Sequence, residues 1–281
     1  MAKPQDKRPR DRFSLEGKTA FVAGGSGVLG SAIARGLAAA GAKVAIAGIT
    51  EGKAKRVAAE MAQNEGLKVM GVRADAFDKD AIRAALDRVE DAFGDVNVLV
   101  NATGGNVKEA TVGPEGSFFG LPAEALEKVV GLNLFAGAIF PCQVVGERMV
   151  SRFAKGSIIN VSSMNAYRPL TRIVGYSAAK AAVSNFTQWL AVHFAKDLRS
   201  QVRVNAIAPG FFLADQNRAL LVDGDKLTPR GQTIIDHTPM GRFGDPEDLV
   251  GVAVWLAGDA SAFVTGTVIP VDGGFSAFSG V

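Results

Sequence analysis

Strand-like apolar runs at Thr19–Ala23, Lys43–Ala47, Lys68–Arg73 and Asn97–Asn101 alternate with helical stretches at Leu29–Ala40, Lys53–Gln63 and Lys79–Phe93. The connections between them are short. Runs such as Val-Leu-Val and Ser-Ile-Ile-Asn-Val are apolar without clean alternation, as strands are when helices cover both faces of a parallel sheet. Further strands are expected at Ser157–Ser162, Arg203–Ala208 and Val268–Val271. This order predicts an α/β fold, one doubly wound parallel sheet of about seven strands with right-handed crossovers. With 48% hydrophobic residues and 33 glycines, the 281-residue chain has material for a large core and many tight turns. No linker or repeat divides it, so residues 13–281 read as one domain. Met1–Arg12, with two Lys, three Arg and two Asp, reads as a disordered basic tail.

Bulk properties exclude several classes. The charge balance, 31 − 28 = +3, does not point to nucleic acid. No apolar core follows the basic start as in a secretory leader, and no uninterrupted apolar run has membrane-spanning length. A cytoplasmic protein is expected. Cys142, the only cysteine, forbids an internal disulfide and falls in an apolar helical pattern, as a packed thiol does. His193 and His237 are the only histidines and have no cluster of other ligands around them, so no metal site is expected.

Two segments, Gly104–Pro122 and Phe211–Phe243, are too irregular for plain connections. In an open α/β sheet ligands bind beyond the carboxyl ends of the strands, and long loops there form lids or binding walls. The substrate loop is placed at about 211–243. After it, Asp245-Pro246-Glu247-Asp248 has the cap, first-turn proline and acids of a helix start.

Ala23-Gly24-Gly25-Ser26-Gly27-Val28-Leu29-Gly30 joins the first strand to the first helix. Glycines there let backbone N–H groups approach a pyrophosphate at the helix start. The end of strand two normally carries an acid for the adenosine ribose. Here it reads Ala47-Gly48-Ile49-Thr50. Nothing there repels a 2′-phosphate, and Thr50, Lys53 or Lys55 could approach one, but no arginine occupies the clamping position. NAD and NADP both stay open.

Tyr176 and Lys180, four apart at the start of a helix running to about Leu198, share a helix face. A phenol titrating near ~10 in water is a poor base, and an ammonium alongside favours its ionised form. Ser163 ends a strand and can polarise a carbonyl. Asn133, in the helical run Val129–Phe140, can order a water behind the lysine.

The glycine turn, Asn101-Ala-Thr-Gly104, Asn133, Ser163, Tyr176-x-x-x-Lys180 and Pro209-Gly210 occur in the order of the short-chain dehydrogenase/reductase family, which the chain resembles from Leu15 onward. The resemblance implies a Rossmann-type fold, Tyr176 as general acid/base and Lys180 as the group that lowers its pKa and holds the nicotinamide ribose. Ser163 would orient the carbonyl and Asn133 would support a relay water. Cofactor contacts are implied for Gly24, Ser26, Gly27, Val28, Leu29, Gly30, Thr50, Asp75, Ala76, Asn101, Ala102, Thr103, Tyr176, Lys180, Pro209, Gly210 and Phe212. Asn101 also matches a residue that steadies the sheet. A homotetramer is implied as well.

Gly104-Gly105-Asn106, Ser-Ser-Met-Asn-Ala-Tyr-Arg-Pro-Leu-Thr-Arg and Val-Asp-Gly-Gly-Phe-Ser-Ala-Phe-Ser-Gly280 resemble the D-mannonate oxidoreductase (fructuronate reductase) branch. Gly48 stands where that branch usually has an aspartate, and Ala214 where many family members have a threonine. A sugar-acid substrate explains the arginines. Arg168, Arg172 or Arg218 grips the carboxylate in a two-pronged contact, while Asn106, Asn165 and Asn217 read hydroxyls. Alternatively, Arg168 and Arg172 pair with acids at a subunit contact. The expected reaction interconverts D-fructuronate and D-mannonate. The rivals are another keto substrate (a polyol, another aldonate or a 3-oxoacyl thioester) and a dinucleotide sensor without turnover.

Overall fold

The computed structural model describes residues 9–113, 116–152, 155–224 and 226–280. Seven strands form one sheet: β1 (Thr19–Ala23), β2 (Lys43–Gly48), β3 (Val69–Arg73), β4 (Val98–Asn101), β5 (Gly156–Val161), β6 (Val202–Pro209) and β7 (Val268–Val271). They run parallel in the order β3-β2-β1-β4-β5-β6-β7. Every residue of β1 is buried. Ala20 and Val22 join the core on one face, and Phe21 and Ala23 join the core on the other. Burial on both sides is why the sequence shows no polar alternation.

Helices α1 (Val28–Ala39) and α2 (Glu51–Glu65) cover the first face, bringing Ile33, Leu37 and Met61 onto Val44 and Ile46. On the other face lie α3 (Lys79–Phe93), α4 (Ala123–Ser151) and α5 (Val174–Val192), the last continuing to Asp197 in a π-type turn. Asp78 caps α3 by accepting from the N–H groups of Asp80 and Ala81 at 2.8 and 3.1 Å. Arg148 on α4 and Arg152 just past its end grip Glu90 of α3 at 2.6 and 2.7 Å.

The 29-residue α4, with a mean hydropathy of 1.7, is long and apolar enough to cross a membrane by length and composition. This corrects the sequence expectation that no such run exists. More than half of its apolar stretch is buried inside the fold, so packing accounts for its hydropathy. Its middle departs from α geometry, with π-type turns over Gly131–Ile139 and Cys142–Gly146.

The segment after β6 is more ordered than its composition suggests. It holds α6 (Asp215–Leu221), a hairpin pairing Val222–Asp223 with Lys226–Leu227, and α7 (Pro229–Asp236). Thr228 Oγ1 accepts from Gly231 N at 3.0 Å with Pro229 following, a helix-start signal that the mixed polarity of the segment masks in the sequence. Asp245 and Asp248 close a capping box before α8 (Val250–Ala257). Within the basic tail, Pro9–Arg12 forms a 3-10 turn, and residues 1–8 lie outside the described residues.

Candidate active site

All seven strands point the same way, so their carboxyl ends share one edge. There the glycine turn leaves β1. Gly24 has φ +74, and a Cβ on it would sit 2.7 Å from the backbone of Ala102 and Thr103, which follow β4. Only glycine fits both the conformation and the approach. Gly27 begins α1 with no side-chain cap, leaving the first-turn N–H groups without a side-chain acceptor. At the end of β2, a Cβ on Gly48 would lie 3.2 Å from Ser26 Oγ, so turn and strand end form one cradle. Asp75 Oδ1 accepts from Phe77 N at 2.9 Å, with Ala76 held in the turn between them. Gly210 N donates to Val271 O at 3.0 Å, and buried Phe212 packs on Gly244 at the root of the lid. These features fit a dinucleotide.

Asn101 differs from its neighbours. Its Nδ2 donates to Asn160 Oδ1 at 2.8 Å and contacts Cys142 Sγ at 3.2 Å, and Asn160 in turn donates to Thr187. The amide therefore ties β4 and β5 to α4 and α5 beneath the edge. Burial and this contact fit a packed thiol, and burial pushes Cys142 up to about 12.

Next along the edge, Ser163 follows β5, and Tyr176 and Lys180 rise from the first turns of α5. Lys180 is buried. Its Nζ donates to Val161 O at 2.8 Å and lies 5.7 Å from the centroid of the Tyr176 ring. Desolvation lowers its pKa to about 8. Burial raises the pKa of the Tyr176 phenol, and a hydrogen bond with Ser163 works the other way. From the sequence, the ammonium of Lys180 is expected to dominate. In the structure both groups share a dry site, and burial outweighs any lowering by the ammonium. Asn133, fully buried, donates to Gly105 O at 2.7 Å and Val129 O at 2.8 Å, and accepts from Gly105 N at 3.1 Å. Both side-chain donors are committed to the backbone, so the amide ties Gly105 to the start of the π-type turn. A Cβ on Gly104 would fall 2.7 Å from Asn133 Oδ1 and 3.2 Å from Lys180 Nζ, which packs the loop after β4 against the cluster.

The two arginines after Ser163 part company. Arg168 is exposed, and its Nε donates to Ser276 O at 3.1 Å in the C-terminal segment. That segment also meets the lid, with Phe275 edge-on to Phe211 and Met240 N donating to Gly273 O. Arg172, at φ +75, donates from Nε to Val112 O at 2.7 Å. Together with Asn165, Val174, Ser177, Ala178 and Ala181 it lines a cavity of about 490 Å³. At about 100° per residue, those α5 positions project from the side of the helix away from Tyr176 and Lys180. Asn165 Oδ1 and Ser177 Oγ have no partner among the described residues. Asn106, exposed beyond Gly105, donates to Thr111 Oγ1 at 2.8 Å. Asn217 and Arg218 fall in α6; the Asn217 side chain lies outside the described residues, and Arg218 is exposed in the last turn. His193 stacks on Trp189 and pairs with Asp197, and His237 is tied to Thr233 O.

Known proteins match this arrangement along nearly the whole chain. The family description "Enoyl-(Acyl carrier protein) reductase" matches residues 23–276. A solved Haemophilus influenza protein, provisionally a D-mannonate oxidoreductase with bound NAD, superposes with a TM-score of 0.88 at 41% identity, covering 97% of this chain and 99% of that one. The 2-dehydro-3-deoxy-D-gluconate 5-dehydrogenase of Formosa agariphila is 34% identical over 96% of this chain and 97% of its own length. A gluconate 5-dehydrogenase from Burkholderia cenocepacia, solved with NADP and tartrate, gives a TM-score of 0.83 at 30% identity, with 96% and 100% coverage. The chain belongs to the short-chain dehydrogenase/reductase family, enzymes that move hydride between a CH–OH carbon and NAD or NADP.

Proposed function

We propose that this protein is an NAD(P)-dependent oxidoreductase of sugar acids and that its substrate pair is D-fructuronate and D-mannonate. The observation that carries the reading is the buried Ser163–Tyr176–Lys180 cluster beside the uncapped glycine turn. Gluconate-type acids named for the relatives support the substrate class, and the D-mannonate description of the Haemophilus structure supports the pair.

The nicotinamide supplies the hydride in reduction and takes it in oxidation. The chain's own residues handle the proton. Ser163 donates to the carbonyl oxygen and orients it, and Tyr176 delivers its phenolic proton to that oxygen as the alcohol forms. A phenol with a raised pKa stays protonated at neutral pH, which suits it to the reductive direction. Lys180 holds positive charge near the phenolate left behind. Arg168, whose terminal nitrogens have no partner among the described residues, takes the substrate carboxylate from the mouth of the cleft.

Initial rates of nucleotide oxidation with D-fructuronate, 5-keto-D-gluconate and a neutral ketose, each run with NADH and NADPH, test this reading. D-Fructuronate is expected to turn over fastest. Turnover of the neutral ketose with neither acid would end the sugar-acid assignment. The same reading makes the protein a homotetramer. Trp189 and Val192, 57% and 59% exposed on the outer face of α5, support packing between copies, and light scattering on the purified protein checks it.

A further inference from the structure

Gly48 closes β2 and stands in register with Arg73, the last residue of β3, with Ala74 N donating to Gly48 O at 3.0 Å. Register partners on neighbouring strands project to the same side of a sheet. On that side the missing Cβ of Gly48 would face Ser26 Oγ in the glycine turn. Gly71, two positions before Arg73 on the same side, is packed against Ala54 and Lys55 of α2. Arg73 thus emerges next to the first turn of α2, on the face that carries the glycine turn. Val72 points the opposite way, into the core beneath α3.

The charges around this point favour an anion. Arg73 is exposed, and its guanidinium makes no hydrogen bond or ion pair among the described residues. Glu51 begins α2, and Lys55 Nζ lies 2.8 Å from its carboxylate. That ammonium holds the Glu51 carboxyl below its usual range, with Arg88 and Arg73 adding to the effect. The negative charge at the start of α2 is therefore already matched. Thr50 makes no side-chain cap bond to α2, so its hydroxyl is not engaged there.

We propose that Arg73 reads the ribose 2′-phosphate and that this chain consequently prefers NADP to NAD. The inference rests on the dinucleotide reading above and deepens it. A guanidinium fork matches phosphate geometry and charge, whereas the glycine at position 48 offers nothing to bond a free 2′-hydroxyl. The turn Ile49-Thr50 directly after β2 carries no arginine; Arg73 stands on the neighbouring strand, and the register brings it alongside. Neither nucleotide is favoured by resemblance, since one solved relative holds NAD and another NADP.

Calorimetric titration of the full chain with adenosine 2′,5′-bisphosphate and with 5′-AMP tests the proposal without nicotinamide or sugar acid. The wild type is expected to bind the bisphosphate at least about tenfold tighter than AMP, a gap that narrows as salt is raised. Arg73→Ala should bring the two affinities within about threefold while leaving AMP binding unchanged, and Arg73→Lys should restore part of the gap. Gly48→Asp should invert the order. Equal affinity of the wild type for both probes, or a gap that survives Arg73→Ala, overturns this inference alone. Failure of both probes to bind overturns the dinucleotide reading along with it.

Discussion

From β1 to β4 the catalytic edge is shaped by backbone, whereas from Asn106 to the lid it is shaped by side chains carried on loops. At the first end Gly24 backs onto Ala102 and Thr103 so closely that no side chain fits between them. At the second, Phe119 is 93% exposed and Asn106 reaches only Thr111. A cofactor common to many enzymes can be met by a rigid, close-fitting cradle, while a particular substrate is selected by groups that change without disturbing the sheet. The proposed chemistry falls where the two ends meet, and the largest expected effect is there. Tyr176→Phe removes the proton but keeps the ring, so kcat should fall by about 10²–10⁴-fold while cofactor affinity holds, as steady-state rates and calorimetry would show. Retained turnover would mean that the proton comes from another group.

Stability should divide the two ends next. Gly24→Ala forces a side chain into left-handed backbone and against Ala102, which should cost about 2 kcal/mol or more in urea unfolding. Phe119→Ala, in the open loop, should stay within about 0.5 kcal/mol. Similar losses in both would erase the distinction. Within the substrate end, the two arginines sharpen it. Arg168→Met is expected to raise KM for the acid about tenfold with kcat nearly unchanged, the loss of one charge-assisted contact. Arg172→Met, on the far side of α5, should leave KM within about twofold. Equal effects would place both side chains on the substrate.

The same division governs how much was legible in the sequence. The seven strands and the first three helices could be read because both sheet faces are buried and each helix keeps one apolar stripe; α3 has the same bounds in structure and sequence. Tyr176 and Lys180 were legible because a spacing of four on a helix fixes their shared face without tertiary knowledge. Arg168 and Arg172 have the same spacing, but they lie in a turn-rich loop, where spacing fixes no common direction. The lid helices were hidden by short length and mixed polarity, although Thr228-Pro229 announced one of them. Arg73 was invisible for a different reason: pairing register belongs to the sheet, not to any stretch of chain.

The smallest expected effect probes the point where the two ends meet. A Cβ on Gly104, in the loop after β4, would stand 3.2 Å from Lys180 Nζ, and burial lowers that ammonium's pKa to about 8 from its ordinary 10.5. In the unfolded chain the group keeps its proton until pH passes the ordinary value. Between the two pKa values the unfolded state therefore binds more protons, and stability rises as pH rises. Lys180→Met lacks this titration. The wild type should gain about 1 kcal/mol relative to Lys180→Met between about pH 7 and about pH 9. Urea unfolding of both proteins at the two pH values measures the gain. A constant difference would show that the ammonium feels no desolvation, and with it would go the claim that the proton-handling cluster sits in a dry seam between the two ends.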